Sequence, residues 1–172
     1  MKKSNSAKSW DDPVFVLNKV INCIIFILIG LGIVILVLFV AGIRPYVVLS
    51  GSMEPAVHTG SLVFVNHNAS FADVKKDDII TFKSGDATVT HRAYEVKDGR
   101  VVTKGDANDE PDNKAVTADT FVGKDVYIVS KLGYLVQFLQ SALGIVISGA
   151  IVVALVIGSL LTDKKIAVKK EQ

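Results

Sequence analysis

Apolar residues along this chain fall into two kinds of pattern. Two long runs carry no charge, and between them short apolar stretches alternate with polar clusters. Residues 20–43, VINCIIFILIGLGIVILVLFVAGI, run for 24 positions without a charge. At about 1.5 Å per residue, a helix of that length crosses a hydrocarbon core of roughly 30 Å. The run exceeds the apolar segment of about 7 to 15 residues usual in a cleavable signal sequence, so it reads as a retained anchor. A second uncharged run, residues 132–162, holds LGIVISGAIVVALVIGSLL, is closed by DKKIAVKKEQ, and is also long enough to span. Gly144 with Ser148, and Ala150, Ala154 and Gly158, recur along it at helical spacing. Such a stripe allows close packing against the first helix or a partner subunit.

The intervening residues 44–131 are 88 in number and carry 11 Lys/Arg and 13 Asp/Glu, a mixed count suited to one small soluble domain. Here the pattern is of short strands: YVVL (46–49), SLVFVN (61–66), DIITFK (78–83), ATVTHRAYEVK (87–97), RVVTK (100–104) and DVYIVS (125–130). They are rich in Val, Ile, Phe, Tyr and Thr. KSGDA marks one turn, and Asp98-Gly99 is a two-residue hairpin signal. Residues 105–119, GDANDEPDNKAVTAD, show no apolar alternation and predict a loop, the kind of element on which sites concentrate. No repeat or low-complexity segment interrupts the chain. The expected fold is a membrane protein in which two transmembrane helices flank a mainly β, mixed or antiparallel, extracytoplasmic domain. The expected organisation is an N-terminal tail (1–19), a first span (20–43), a β-rich domain (44–131), a second span with a juxtamembrane start (132–162) and a basic tail (163–172).

Charge sets the orientation. Lys2, Lys3, Lys8 and Lys19 precede the first run, and Lys164, Lys165, Lys169 and Lys170 follow the second. Both termini are therefore expected in the cytoplasm and the middle domain outside, since long loops translocate regardless of their own charge. A formal charge of +2 gives no footprint for nucleic acid. Cys23, the only cysteine, lies inside the first run, so no internal disulfide and no thiol chemistry is expected of the outer domain. His58, His67 and His91 have no metal-ligand spacing, and no metal or organic cofactor is implied. His58 and His67 read as solvated turn residues.

Hydroxyl nucleophile chemistry is what remains. A serine hydroxyl needs a base within hydrogen-bond reach and gains from a third group that fixes the base's tautomer. Serines, histidines and aspartates are all present, and spacing alone does not choose among them.

Three ordered stretches do. SGSMEPAVHTGSLVFV (50–65), THR (90–92) and KGDANDEPD (104–112) resemble, in order and spacing, the serine, base and acidic boxes of the type I signal peptidases of peptidase family S26, over about residues 44–133. His91 stands where the ordinary bacterial enzymes have lysine, so the chain is similar to the ER-type, SipW-like Ser/His branch. The resemblance implies that Ser52 is the nucleophile and His91 the general base, a histidine being the side chain that ordinarily titrates near neutral pH. Asp106 and Asp112 both match the acidic box. Analogy favours Asp112 as the residue that orients the histidine and Asp106 as a supporting acid that shapes the loop. The oxyanion hole implied is the Ser52 backbone N–H with the Ser50 hydroxyl, Gly51 permitting the tight backbone between them. Val48, Leu49 and Met53 would line pockets for small substrate side chains.

The activity implied is removal of N-terminal signal peptides from exported preproteins after Ala-like residues at positions −1 and −3. Only eight residues, 44–51, separate the first span from Ser52, a tether of at most about 30 Å, so the nucleophile is held near the membrane surface. The expected partners are secretory preproteins and membrane lipid, and the second span departs from the single-anchor eukaryotic members. A membrane-anchored, non-catalytic β module that binds partner proteins is the alternative.

Overall fold

The computed structural model describes residues 13–171. Lys2, Lys3 and Lys8 of the expected tail lie outside the described residues, as do the side chains of Lys169 and Lys170. Two units divide the chain, one made of its two ends and the other of residues 36–141.

The first unit holds two long apolar helices. Helix α1 spans Pro13–Val40 and helix α3 spans Ala142–Glu171, and each is long and apolar enough to cross a membrane. Helix α1 begins well before the uncharged run, because Pro13 suits a first helical turn and nothing between it and Val20 breaks a helix. It stops at Val40, where Ala41 and Gly42 turn the chain and Gly42 takes a φ of +77°. Helix α3 continues through Asp163, Lys164 and Lys165, so the expected basic tail is mostly helical, in keeping with its Lys, Ala and Glu content. A polar ladder ties the two helices. Asn18 Nδ2 donates to Asp163 Oδ1 at 2.6 Å, Asn22 Nδ2 to Asn18 Oδ1 at 2.6 Å, and Ser159 Oγ to Asn22 Oδ1 at 2.9 Å. Of the small residues, Gly158 meets helix α1, where an added Cβ would lie 3.3 Å from Ile21, and Gly144 is buried, while Ala150 and Ala154 are exposed.

The second unit is a six-stranded antiparallel sheet: β1 Ile43–Val47, β2 Leu62–Asn66, β3 Ile79–Ser84, β4 Ala87–Lys97, β5 Arg100–Lys104 and β6 Phe121–Val129. Their order is β1-β2-β6-β3-β4-β5, so the last strand returns to the middle of the sheet. The strand pattern in the sequence locates all six. Strand β1 starts earlier than its apolar run because Arg44 and Pro45 can sit on an edge strand, and β6 starts earlier because Phe121–Gly123 complete its pairing with β3. Gly123 has no room for a Cβ, which would strike the Asn66 carbonyl. Asp98 and Gly99 have φ of 51° and 71° and close the β4–β5 hairpin as a two-residue turn. Asn and Asp tolerate that left-handed region and Gly takes it freely, so the dipeptide was the signal.

Two clusters fill the core. Val74, Ile80, Phe82, Ala93, Val101 and Val116 form one, with Phe71, Val89 and Phe121 against it. Met53, Val57, Val63 and Val65 form the other, with Tyr46, Val48, Ile79 and Ile128. Alternation along β3 sends Ile80 and Phe82 to the first and Ile79 to the second. The second uncharged run is not one helix. Leu132–Gln140 forms a short helix, α2, that belongs with the sheet, its Gly133 N–H donating to Gly60 O at 2.9 Å. At Ser141 the backbone becomes extended and its hydroxyl turns back to Phe138 O at 2.7 Å, ending α2 before α3 begins.

Candidate active site

Strand β1 delivers the chain to a turn at residues 50–57 that is held from below. Met53 is 1% exposed and Val57 0%, both inside the second cluster. Val57 N–H donates to Met53 O at 2.8 Å and Glu54 N–H to Gly51 O at 3.0 Å. Burying these two apolar side chains contributes roughly 1.5–3 kcal/mol each and fixes the turn in which Ser52 immediately precedes Met53. Ser52 is partly exposed and Ser50 exposed.

Strand β4 carries His91. Register places His91 opposite Ile80 and Val89 opposite Phe82, so the imidazole shares the face of the first cluster and meets the Phe82 ring edge-on at 6.2 Å between centroids. The residue is 7% exposed. Its Nε2 lies 3.1 Å from Ser52 Oγ, and its Nδ1 lies 2.7 Å from Asp112 Oδ2. With the proton on Nδ1 donated to the carboxylate, Nε2 is left to accept from the serine hydroxyl. A half-open cavity of about 510 Å³ lies beside this pair, with Phe82, Lys83, Val89 and Lys114 also in its wall.

The acidic loop is pinned along its length. Ala107 N–H donates to Ser52 O at 2.9 Å, Asp112 N–H to Thr103 O at 2.8 Å, and Val116 exchanges both backbone hydrogen bonds with Val101. Arg92, next to His91 but on the opposite face of β4, grips Asp106 with Nε at 2.8 Å and Nη2 at 2.7 Å. Those hydrogen bonds hold the Arg92 guanidinium above its ordinary range. The two aspartates left open by the sequence thus have separate partners: Asp112 faces His91, and Asp106 fastens the loop to Arg92.

Other expected residues fall differently. Ser50 Oγ is 3.4 Å from Ser52 Oγ, a long contact that leaves the two hydroxyls side by side. Leu49 is 73% exposed and Val48 partly buried, whereas Met53 is a core residue that anchors the turn and offers no free surface. Gly51 is not required by sterics: its φ is not positive, and an added Cβ would meet Glu54 only at 3.4 Å. Gly105 is the glycine the site demands, since a Cβ there would stand 2.5 Å from Ser52 O. His58 is exposed, whereas His67 lies in the turn after β2 but is partly buried. It stacks on Tyr46 and bonds its hydroxyl at 3.0 Å, and burial together with the Arg44 charge lowers its pKa.

The sequence reading missed Arg92, Gly105 and Thr103. Thr103 is fully buried and donates to Asp112 Oδ2 at 2.6 Å. A signal for it existed: Val101 and Thr103 are the inward positions of β5, and a lone hydroxyl on an apolar face must find a partner.

Comparison with known proteins agrees with the serine and base boxes. Residues 20–103 match the family described as signal peptidase, peptidase S26, a stretch that includes Ser52 and His91 but ends short of Asp112. The chain is 36% identical over 116 positions to signal peptidase I W of Bacillus subtilis (strain 168), covering 58% of this chain and 61% of that protein. It is 40% identical over 73 positions to the signal peptidase complex catalytic subunit SEC11C of Homo sapiens, covering 38% of each. The dog SEC11C gives the same values, 40% over 73 positions. The matches thus span 61% and 38% of the lengths of these curated relatives.

Proposed function

We propose that the chain is a member of the S26 signal peptidases and a membrane-bound serine endopeptidase that removes N-terminal signal peptides from exported preproteins. The observation that carries this reading is the continuous relay from Ser52 Oγ to His91 Nε2 at 3.1 Å and from His91 Nδ1 to Asp112 Oδ2 at 2.7 Å.

In this mechanism His91 accepts the Ser52 proton as the oxygen attacks the scissile carbonyl. Asp112 keeps the imidazole in the productive tautomer and stabilises the imidazolium. The Ser52 N–H and the Ser50 hydroxyl receive the oxyanion. His91 returns the proton to the departing amine, the new N-terminus of the mature protein. Water, deprotonated by His91, then releases the signal peptide from Ser52, whose hydroxyl is restored. The chemistry uses no metal or organic cofactor. Cleavage after small residues at −1 and −3 follows the family resemblance, with Val48 and Leu49 next to the serine as the pocket walls.

The two apolar helices are the anchors, with both termini cytoplasmic and the sheet domain on the outer side of the cell membrane, where secretory preproteins and lipid meet it. A cysteine placed at exposed Glu95 would react with a membrane-impermeant reagent on whole cells under this topology and would stay unlabelled under the reverse.

The deciding experiment is cleavage of a preprotein by the purified full chain in detergent. Ser52→Ala, His91→Ala and Asp112→Ala are each expected to lower kcat at least about a thousandfold. A preprotein with leucine at −1 should resist the wild type. Undiminished cleavage by Ser52→Ala would overturn the reading. If wild type neither cleaves nor reacts with a serine-directed probe, the non-catalytic binding module takes its place.

A further inference from the structure

We propose that Thr103 is a positioning residue for the acid–base pair, a fourth member that fixes Asp112 as Asp112 fixes His91. The inference rests on the reading of Ser52, His91 and Asp112 given above.

Thr103 holds Asp112 at both ends. Its carbonyl accepts the Asp112 N–H at 2.8 Å, and its hydroxyl donates to Asp112 Oδ2 at 2.6 Å. Oδ2 is also the oxygen that His91 Nδ1 reaches, at 2.7 Å. One carboxylate oxygen therefore accepts two short bonds, as an ionised acceptor does. The placement comes from the sheet. Thr103 pairs with Ala93 across β4 and β5, and His91 is two residues along β4 on the same face, so threonine and histidine are diagonal neighbours with the acid between them.

The consequence for the reaction is directional. Asp112 sits on a loop, where a carboxylate on its own would rotate about its terminal torsion and point Oδ2 away from the ring. A second donor on the same oxygen stops that rotation, and so keeps the Nδ1 hydrogen bond in place and Nε2 turned to Ser52. A buried hydroxyl that merely satisfies itself would matter to stability and not to this coupling. Nor could an apolar residue of the same shape serve: Val fills the strand position but leaves the carboxylate oxygen one donor short.

The test measures preprotein cleavage by the full chain in detergent, with rates normalised to the serine titrated by an active-site probe so that misfolded material does not count. Thr103→Val is expected to lower kcat about tenfold to a hundredfold, as loss of a hydrogen bond to a charged group does, with KM unchanged. Thr103→Ser, which keeps the hydroxyl, is expected to recover most of that loss. On an Asp112→Asn background, Thr103→Val should add no further loss, because the charged acceptor is already gone. Where Thr103→Val fails to fold, the Thr103→Ser and Thr103→Cys pair makes the same comparison of donor strength. Full kcat in Thr103→Val, no rescue by Ser, or an equal loss on the Asp112→Asn background would overturn the proposal. If His91→Ala and Asp112→Asn are also active, the catalytic reading itself has failed; if they are dead while Thr103→Val is normal, only this inference has.

Discussion

The turn that carries Ser52 and the loop that carries Asp112 meet at one point, yet they are held by different physics. The serine turn is fastened by Met53 and Val57, two side chains of 1% and 0% exposure sunk in a core cluster. The acidic loop buries almost nothing apolar before Val116 and is fastened by bonds: Arg92 on Asp106, Thr103 on Asp112, and Ala107 N–H on the Ser52 carbonyl. Burial is non-directional and tolerant, and it fixes where a turn lies. Hydrogen bonds and charge pairs are directional, and they fix where an individual atom points. The tight turn of Ser52 rests on the first, and Asp112, which aims one oxygen at His91 Nδ1, rests on the second.

That contrast breaks most visibly at the anchors. Met53→Ala is expected to cost about 2–5 kcal/mol of stability, as large-to-small changes in a closed core do, read by thermal unfolding of the purified protein. A variant of unchanged stability would show the turn to be held by its hydrogen bonds after all.

Asp125 sharpens the comparison, because it shows a carboxyl without the donors that the loop aspartates have. Its Oδ1 accepts from Thr81 at 2.8 Å, while Oδ2 is buried without a partner, and burial pushes its pKa up to about 7 from 3.8. The folded state thus holds this proton more tightly than the unfolded state does. Its stabilising contribution is complete below pH 3.8 and is lost as pH rises through about 7. The total is on the order of 4 kcal/mol, at about 1.4 kcal/mol per pH decade between those limits. Asp125→Asn, neutral throughout, should flatten that part of the profile in unfolding measured from pH 4 to 8, and a slope unchanged by it would assign the effect to other groups.

Where turn and loop touch, the effect moves from stability to rate. Gly105→Ala sets a Cβ 2.5 Å from Ser52 O and must push the two segments apart. A displacement of about 1 Å at a reacting group costs roughly a hundredfold, so kcat should fall by about that factor while the apolar core stays intact. Smallest is the loop clamp. Arg92→Gln should lower kcat about tenfold with a stability change near 1 kcal/mol or less, because Arg92 is partly solvated and its Asp106 pair is screened accordingly. A loss in stability as large as that of Met53→Ala would erase the distinction between the two kinds of anchor.

Much of the molecule is written locally. Charge-free runs of helical length, β-branched strands at period two and an Asp98-Gly99 turn each depend on a few adjacent residues, and all are visible along the chain. The serine, histidine and acidic boxes were legible too, because each is a contiguous string. What tertiary structure alone decided is every matter of pairing. It set the return of β6 between β2 and β3, the break at Ser141 within one apolar run, and the assignment of Met53 to the core. The separate partners of Asp106 and Asp112 belong here as well. The two aspartates are six residues apart on one loop, and only the path of that loop past β4 and β5 gives the first to Arg92 and the second to His91 and Thr103. Local propensity acts through neighbours in sequence, whereas a hydrogen bond across 21 residues, as from His91 to Asp112, exists only once the sheet has brought its ends together.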